Sequence, residues 1–169
     1  MRHPAAFWFL TVILVFTLHL TVAGNIAVLG SVPNFLLLSI IFFAIRGGSL
    51  TGEILGFVLG LLSDIASTTV FGSQVFMLTF LGYLAGKLER KVDEDQPLAQ
   101  VALVFILSIA NLLGLVLLES LFGGSPQRFK GIFMILNPVY STLLCPIVFW
   151  GLLKWSALFR KFDLLPGGH

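Results

Sequence analysis

The apolar stretch from Pro33 to Ser63 leaves this chain few ways to fold. A membrane-spanning helix needs about 20 apolar residues, within a range of about 17–25, so this run is too long for one crossing. It is also interrupted near its middle by Arg46-Gly47-Gly48. A single helix would hold Arg46 near the bilayer centre, at about 2.5–3.5 kcal/mol on insertion scales. Two helices joined at the Gly-Gly pair place the charge at a membrane surface instead. The expectation is an antiparallel pair over 33–46 and 49–64.

Composition supports a bilayer as the solvent. Hydrophobic residues are 57% of the chain and charged residues 11%, with a mean hydropathy of +1.02; soluble domains are nearer half apolar and a quarter charged. Further apolar runs cover 5–23, 72–88, 97–122 and 133–155. The first has a basic flank in Arg2 like a signal peptide, but its apolar core is too long for one, and it reads as a retained helix. The fold class expected is an all-α integral membrane protein: one transmembrane domain over 1–169, built as a six-helix bundle.

Charge placement gives an independent check. With six helices and the N-terminus inside, Arg2, Arg46, Lys87, Arg90, Lys91, Lys154, Arg160 and Lys161 face the cytoplasm. Only Arg128 and Lys130 face outward, a bias of eight against two. Both termini are then cytoplasmic. Spans 33–46 and 49–64 are short, which suits helices tilted or buried among the others. Asp93-Glu94-Asp95 ahead of Pro97 favours a helix start there. Leu158-Phe159-Arg160-Lys161-Phe162 suits the headgroup zone.

Within span 49–64, Gly52, Gly56 and Gly60 recur every four residues. At about 100° per residue, Glu53, Gly56, Phe57, Gly60 and Asp64 share one arc of the helix. Such glycines leave a groove where another helix can approach closely. Gly82 and Gly86 make a second small-residue face on span 72–88. Two uses are open: internal packing of these helices, or docking of a foreign transmembrane helix, with Phe57 packing and Asp64 making a polar contact at the outer rim. Asp64 sits at the C-terminal end of its helix, where the dipole disfavours an anion, so it needs a partner. Ser67, Thr68, Thr69 and a neighbouring protein are the candidates.

Other polar residues have more local readings. Glu53 is either a first-turn acid snorkelling to the headgroups or an interface partner of Arg46. Glu119 can pair with Arg128 or Lys130 across a loop, worth roughly 0–1 kcal/mol at a surface. Asn111, mid-helix, reads as hydrogen-bonding glue to an adjacent helix. Pro138 and Pro146 can kink the last span.

No catalytic constellation is visible. His3, His19 and His169 are scattered, Cys145 is the single cysteine, and no metal-ligand spacing, Walker loop or nucleophile elbow occurs. No catalytic residue, cofactor or metal is expected, and the small net charge of +2 does not suggest nucleic acid.

The run Gly56-Phe57-x-x-Gly60-Leu61-Leu62-x-Asp64, followed by Gly72, resembles the MreD family of rod shape-determining proteins. Pro33-Asn34, the Arg46-Gly47-Gly48 turn, Gly82-Tyr83-Leu84-Ala85-Gly86-Lys87 and Asn137-Pro138 fit the same likeness. The resemblance implies a bacterial inner-membrane scaffold without activity of its own. Its implied partner is the bitopic protein MreC, whose transmembrane helix is then expected in the groove of Gly52, Gly56, Phe57, Gly60 and Asp64, beside a RodA-type SEDS glycosyltransferase, a class B penicillin-binding protein and MreB filaments. The family is similar to the six-helix S-components of energy-coupling-factor vitamin transporters, which supplies an alternative function. An S-component would need an Ala-x-x-x-Ala face on its first helix; Ala5, Ala6 and Ala23 do not form one. A proton or ion path through Glu53, Asp64 and Glu119 ranks last, because these acids lie near opposite faces with only Asn111 between.

Overall fold

The computed structural model describes residues 4–25, 33–67, 70–88, 97–122 and 133–164. These form five helices: α1 (Pro4–Asn25), α2 (Phe35–Ala66), α3 (Ser73–Leu88), α4 (Pro97–Leu121) and α5 (Phe133–Leu164). Arg2, Arg90, Lys91, the Asp93-Glu94-Asp95 run, Arg128 and Lys130 lie outside the described residues. The all-α class is as expected. Among the described residues, three stretches are long and apolar enough to cross a membrane: Phe35–Ala66, Leu98–Leu121 and Leu136–Leu158.

The expected six helices are five elements here, because 33–46 and 49–64 run together as α2. The physical reason is that a single residue makes the turn. Gly48 alone leaves helical geometry, with φ 81 and ψ 179, a region essentially confined to glycine. The chain folds back there. A side-chain carbon placed on Gly52 would lie 2.7 Å from Cβ of Ala44, whereas eight residues of straight helix advance about 12 Å. Gly82 of α3 touches Ile40 on one side of Gly48 and Gly52 on the other, which only a reversed chain allows.

Before the turn, every residue from Phe35 to Ile45 is buried. An apolar helix with no exposed face belongs at the centre of a bundle. This arm is about 20 Å long at 1.5 Å per residue, short of a hydrocarbon core of about 30 Å. Burial on all sides removes the need to match the lipid. Asn34 starts the arm: its side chain accepts the N–H of Leu37 at 3.0 Å, and its own N–H donates to the Ser141 hydroxyl of α5 at 3.1 Å.

The remaining helices wrap this arm. Trp8 of α1 meets Phe43 edge-on at 5.4 Å, Phe42 meets Phe149 of α5 at 5.2 Å, and Trp155 donates to the Thr11 hydroxyl at 3.0 Å. These contacts, with Gly86 of α3 against Gly48 and Ser49, put Arg46, Lys87 and Lys154 toward one end of the bundle. Asp64 and Glu119 lie toward the other. All three cations rest on aromatic rings: the Arg46 guanidinium is 4.9 Å from the Phe42 centroid, the Lys87 ammonium 5.7 Å from that of Tyr83 and the Lys154 ammonium 3.7 Å from that of Trp150, favourable placements for cations near an apolar surface.

Candidate functional site

The glycine face of α2 is filled by α3. A Cβ on Gly52 would strike the carbonyl of Gly82, one on Gly56 the carbonyl of Leu78, and one on Gly60 would come within 2.7 Å of Cα of Val75. Gly86 lies in the same way against the backbone of Gly48 and Ser49. Both small-residue stripes therefore serve one internal seam, and the foreign-helix groove expected at Gly52, Gly56 and Gly60 is closed. Of the two uses open from the sequence, internal packing is the one the geometry shows. Without hydrophobic drive between helices in lipid, close backbone approach of this kind is what holds them together.

Asp64 is likewise used within the chain, which corrects its expected role at the outer rim. It is only 3% exposed. One carboxylate oxygen accepts the N–H groups of Gly72 and Val75 at 3.0 Å each, and the other accepts that of Gln74 at 3.2 Å. The Ser73 N–H goes to the Val70 carbonyl at 3.2 Å, and Phe76 begins the intrahelical series by donating to Gly72 at 2.9 Å. The first-turn donors of α3 are thus all satisfied. An anion misplaced at the C-terminus of α2 is well placed at the N-terminus of α3, where the dipole favours it.

Phe57 turns the other way. It is 51% exposed, and with Glu53 and Leu61, one helical turn to either side, it forms one wall of a surface groove of about 640 Å³. Phe76, Phe80 and Tyr83 of α3 form the opposite wall, Phe76 and Phe80 stacking at 6.4 Å with planes 4° apart. Lys87 continues this stripe, its ammonium 5.7 Å from the Tyr83 centroid. The groove is apolar along its length and carries Glu53 toward its basic end.

The sequence residues treated as polar contacts separate. Glu53 is exposed on the groove. Glu119 is buried near the acidic end of α4, and its expected partners Arg128 and Lys130 lie outside the described residues. Asn111 is 6% exposed, and its side-chain oxygen, like the Ser108 hydroxyl one turn before it, has no hydrogen-bond partner among the described residues. The expected bond to an adjacent helix is therefore not made by that oxygen. Glu53 lies toward the basic end, and Asp64 and Glu119 toward the other.

The family model for the rod shape-determining protein MreD matches residues 1–155. The chain belongs to the MreD family. No curated protein and no solved structure gives a significant match. For an MreD-family chain, the Gly56-Phe57-x-x-Gly60-x-x-x-Asp64 run acquires a structural meaning: the glycines seat α3, the aspartate starts it, and Phe57 stays on the surface. The aromatic stripe of α3 was missed at the sequence level. Its signal was the i, i+4, i+7 spacing of Phe76, Phe80 and Tyr83, which alone does not separate a core face from a surface one.

Proposed function

We propose that this chain is a non-enzymatic inner-membrane scaffold of the bacterial elongation machinery, and that it holds the transmembrane helix of MreC. Membership of a rod shape-determining family carries the reading. The arrangement proposed is six crossings with both termini cytoplasmic, the topology expected of an S-component-like bundle, with Arg46, Lys87 and Lys154 on the cytoplasmic side in accord with the positive-inside bias. Fixing the MreC helix fixes where its extracytoplasmic part stands relative to the synthases, a SEDS glycosyltransferase and a class B penicillin-binding protein, while MreB lies on the cytoplasmic side.

The docking surface we assign is the open groove between α2 and α3, since the glycine face is occupied. Two rows, Glu53-Phe57-Leu61 on α2 and Phe76-Phe80-Tyr83 on α3, line it, and an apolar helix is the occupant we assign. Aromatic anchors supply large contact area at low entropic cost. Glu53 suits a basic residue at the cytoplasmic end of the incoming helix.

Detergent co-purification with the host's MreC tests the reading. Phe57→Ala combined with Phe80→Ala should reduce recovery of MreC and leave thermal stability near wild type, because both side chains are exposed. A wild-type chain that recovers no MreC refutes the partner. A double variant that recovers it fully refutes the groove.

A further inference from the structure

A second cleft lies on another face of the bundle, between α1 and α5, with a volume of about 790 Å³. Its floor is buried and apolar: Val15, Phe35 and Leu152 are each nearly covered, and the Ser39 hydroxyl beneath them is satisfied by donating to the Phe35 carbonyl at 2.8 Å. Its rim is exposed, with Leu14 and Leu18 on α1 and Ile147 and Leu158 on α5. Trp155, bonded to Thr11, ties the two helices together toward the basic end.

Two independent features say what fits there. Gly151 lies in the α5 wall, and a Cβ placed on it meets nothing within 4 Å among the described residues, so no described helix closes the space above it. This glycine seats no protein backbone, in contrast to Gly52, Gly56 and Gly60. Lys154, three residues further along α5, lines the cleft toward the end where Arg46 and Lys87 also lie, its ammonium resting on the Trp150 ring. Apart from Trp155, Ala157 and Leu158, which follow Lys154 on α5, the lining lies on the side of this cation away from the basic end, so apolar walls run toward the bilayer interior and a cation sits toward headgroup level. That is the polarity of a phospholipid standing in one leaflet.

We propose that this cleft binds one anionic glycerophospholipid, an acyl chain lying over Gly151 between α1 and α5 and the headgroup phosphate paired with Lys154. Charge complementarity selects the anionic class, since a cation at the membrane surface discriminates between anionic and zwitterionic headgroups. A chain filling the cleft supplies the dispersion contacts that its walls otherwise lack. The site is separate from the α2–α3 groove and does not depend on what docks there.

Native mass spectrometry of the full chain tests this, after purification from nanodiscs containing phosphatidylglycerol and phosphatidylcholine in equal amounts. One retained phosphatidylglycerol per chain is expected. Gly151→Leu puts a side chain into this space, where the Cβ itself meets nothing within 4 Å, and should abolish that adduct. Lys154→Gln should lower the preference for phosphatidylglycerol about fivefold, the effect of one basic residue at an anionic surface. Equal retention of both lipids by wild type, or an unchanged adduct in Gly151→Leu, overturns the proposal and identifies ordinary annular lipid. Loss of MreC from Gly151→Leu with lipid retention unaltered also overturns it, and assigns the cleft to a protein helix.

Discussion

Gly52 and Gly82 face one another across the α2–α3 seam, each placed so that a Cβ on one would strike the carbonyl of the other. The contact is reciprocal, backbone on backbone, and it lies where α2 has just emerged from its turn at Gly48. Gly56 against Leu78 and Gly60 against Val75 continue the seam toward the acidic end. At that end Asp64 bonds to the first turn of α3. The hairpin arm and α3 thus form one rigid unit, leaving Phe57 and the aromatic stripe of α3 on its outer surface.

Gly82→Ala is accordingly expected to cost more than a helix propensity scale implies. Alanine favours helix over glycine by about 0.8–1.0 kcal/mol, yet overpacking against backbone costs about 1–3 kcal/mol or more. Net destabilisation is expected, measured as a lower midpoint of thermal unfolding in detergent. Gly52→Ala should behave alike, and the pair together should cost less than the sum, because both break one contact. A midpoint raised by either single change would mean that the seam is loose.

For Asp64→Ala, the N–H groups of Gln74 and Val75 in α3 and of Gly72 just before it lose their acceptor. Leaving buried donors unpaired costs about 1–3 kcal/mol, and Asp64→Asn should fall between alanine and wild type. The distinguishing measurement is hydrogen exchange at Gly72, Gln74 and Val75. Faster exchange confined to this turn is expected. If protection there is unchanged while MreC recovery falls, Asp64 acts on the partner and not on α3.

Much of this arrangement was legible in the sequence, for reasons that also explain what was not. Arg46 in an apolar run forces a choice that bilayer energetics decides, so the reversal at Gly47-Gly48 could be placed to within a residue or two. The glycine spacing fixed a close-packed face but not its occupant, because internal and foreign helices present the same small-residue requirement. Asp64 was recognised as needing a partner, yet its partners are backbone N–H groups, which carry no side-chain signature. The α1–α5 cleft depends on how far two helices diverge in space, and no local spacing encodes that.

The reversal itself makes a topological prediction. At φ 81 and ψ 179, Gly48 occupies a region where an L side chain costs about 1–3 kcal/mol. Gly48→Val should therefore reduce the folded yield in membranes more than Gly47→Val. Arg46→Cys, in a chain with Cys145→Ala, should react with a membrane-impermeant thiol reagent only from the cytoplasmic side. Labelling from the outside instead would mean that the proposed six-crossing topology is inverted, and no labelling from either side would place residue 46 within the bilayer.

Asn111 and Ser141 give opposite expectations from similar burial. The Asn111 side-chain oxygen is enclosed without a hydrogen-bond partner among the described residues, a state that costs free energy in the folded bundle. Asn111→Leu replaces it with an apolar side chain of similar size, and the unfolding midpoint should hold or rise. Ser141 is fully covered, and its hydroxyl accepts the Asn34 N–H that begins the central arm. Ser141→Ala strands that donor and should destabilise by about 1–3 kcal/mol. Measured side by side in one detergent, the two variants separate polarity that the bundle uses from polarity that it merely tolerates. A large loss in Asn111→Leu would show that its side chain makes a contact in the membrane beyond those within this chain.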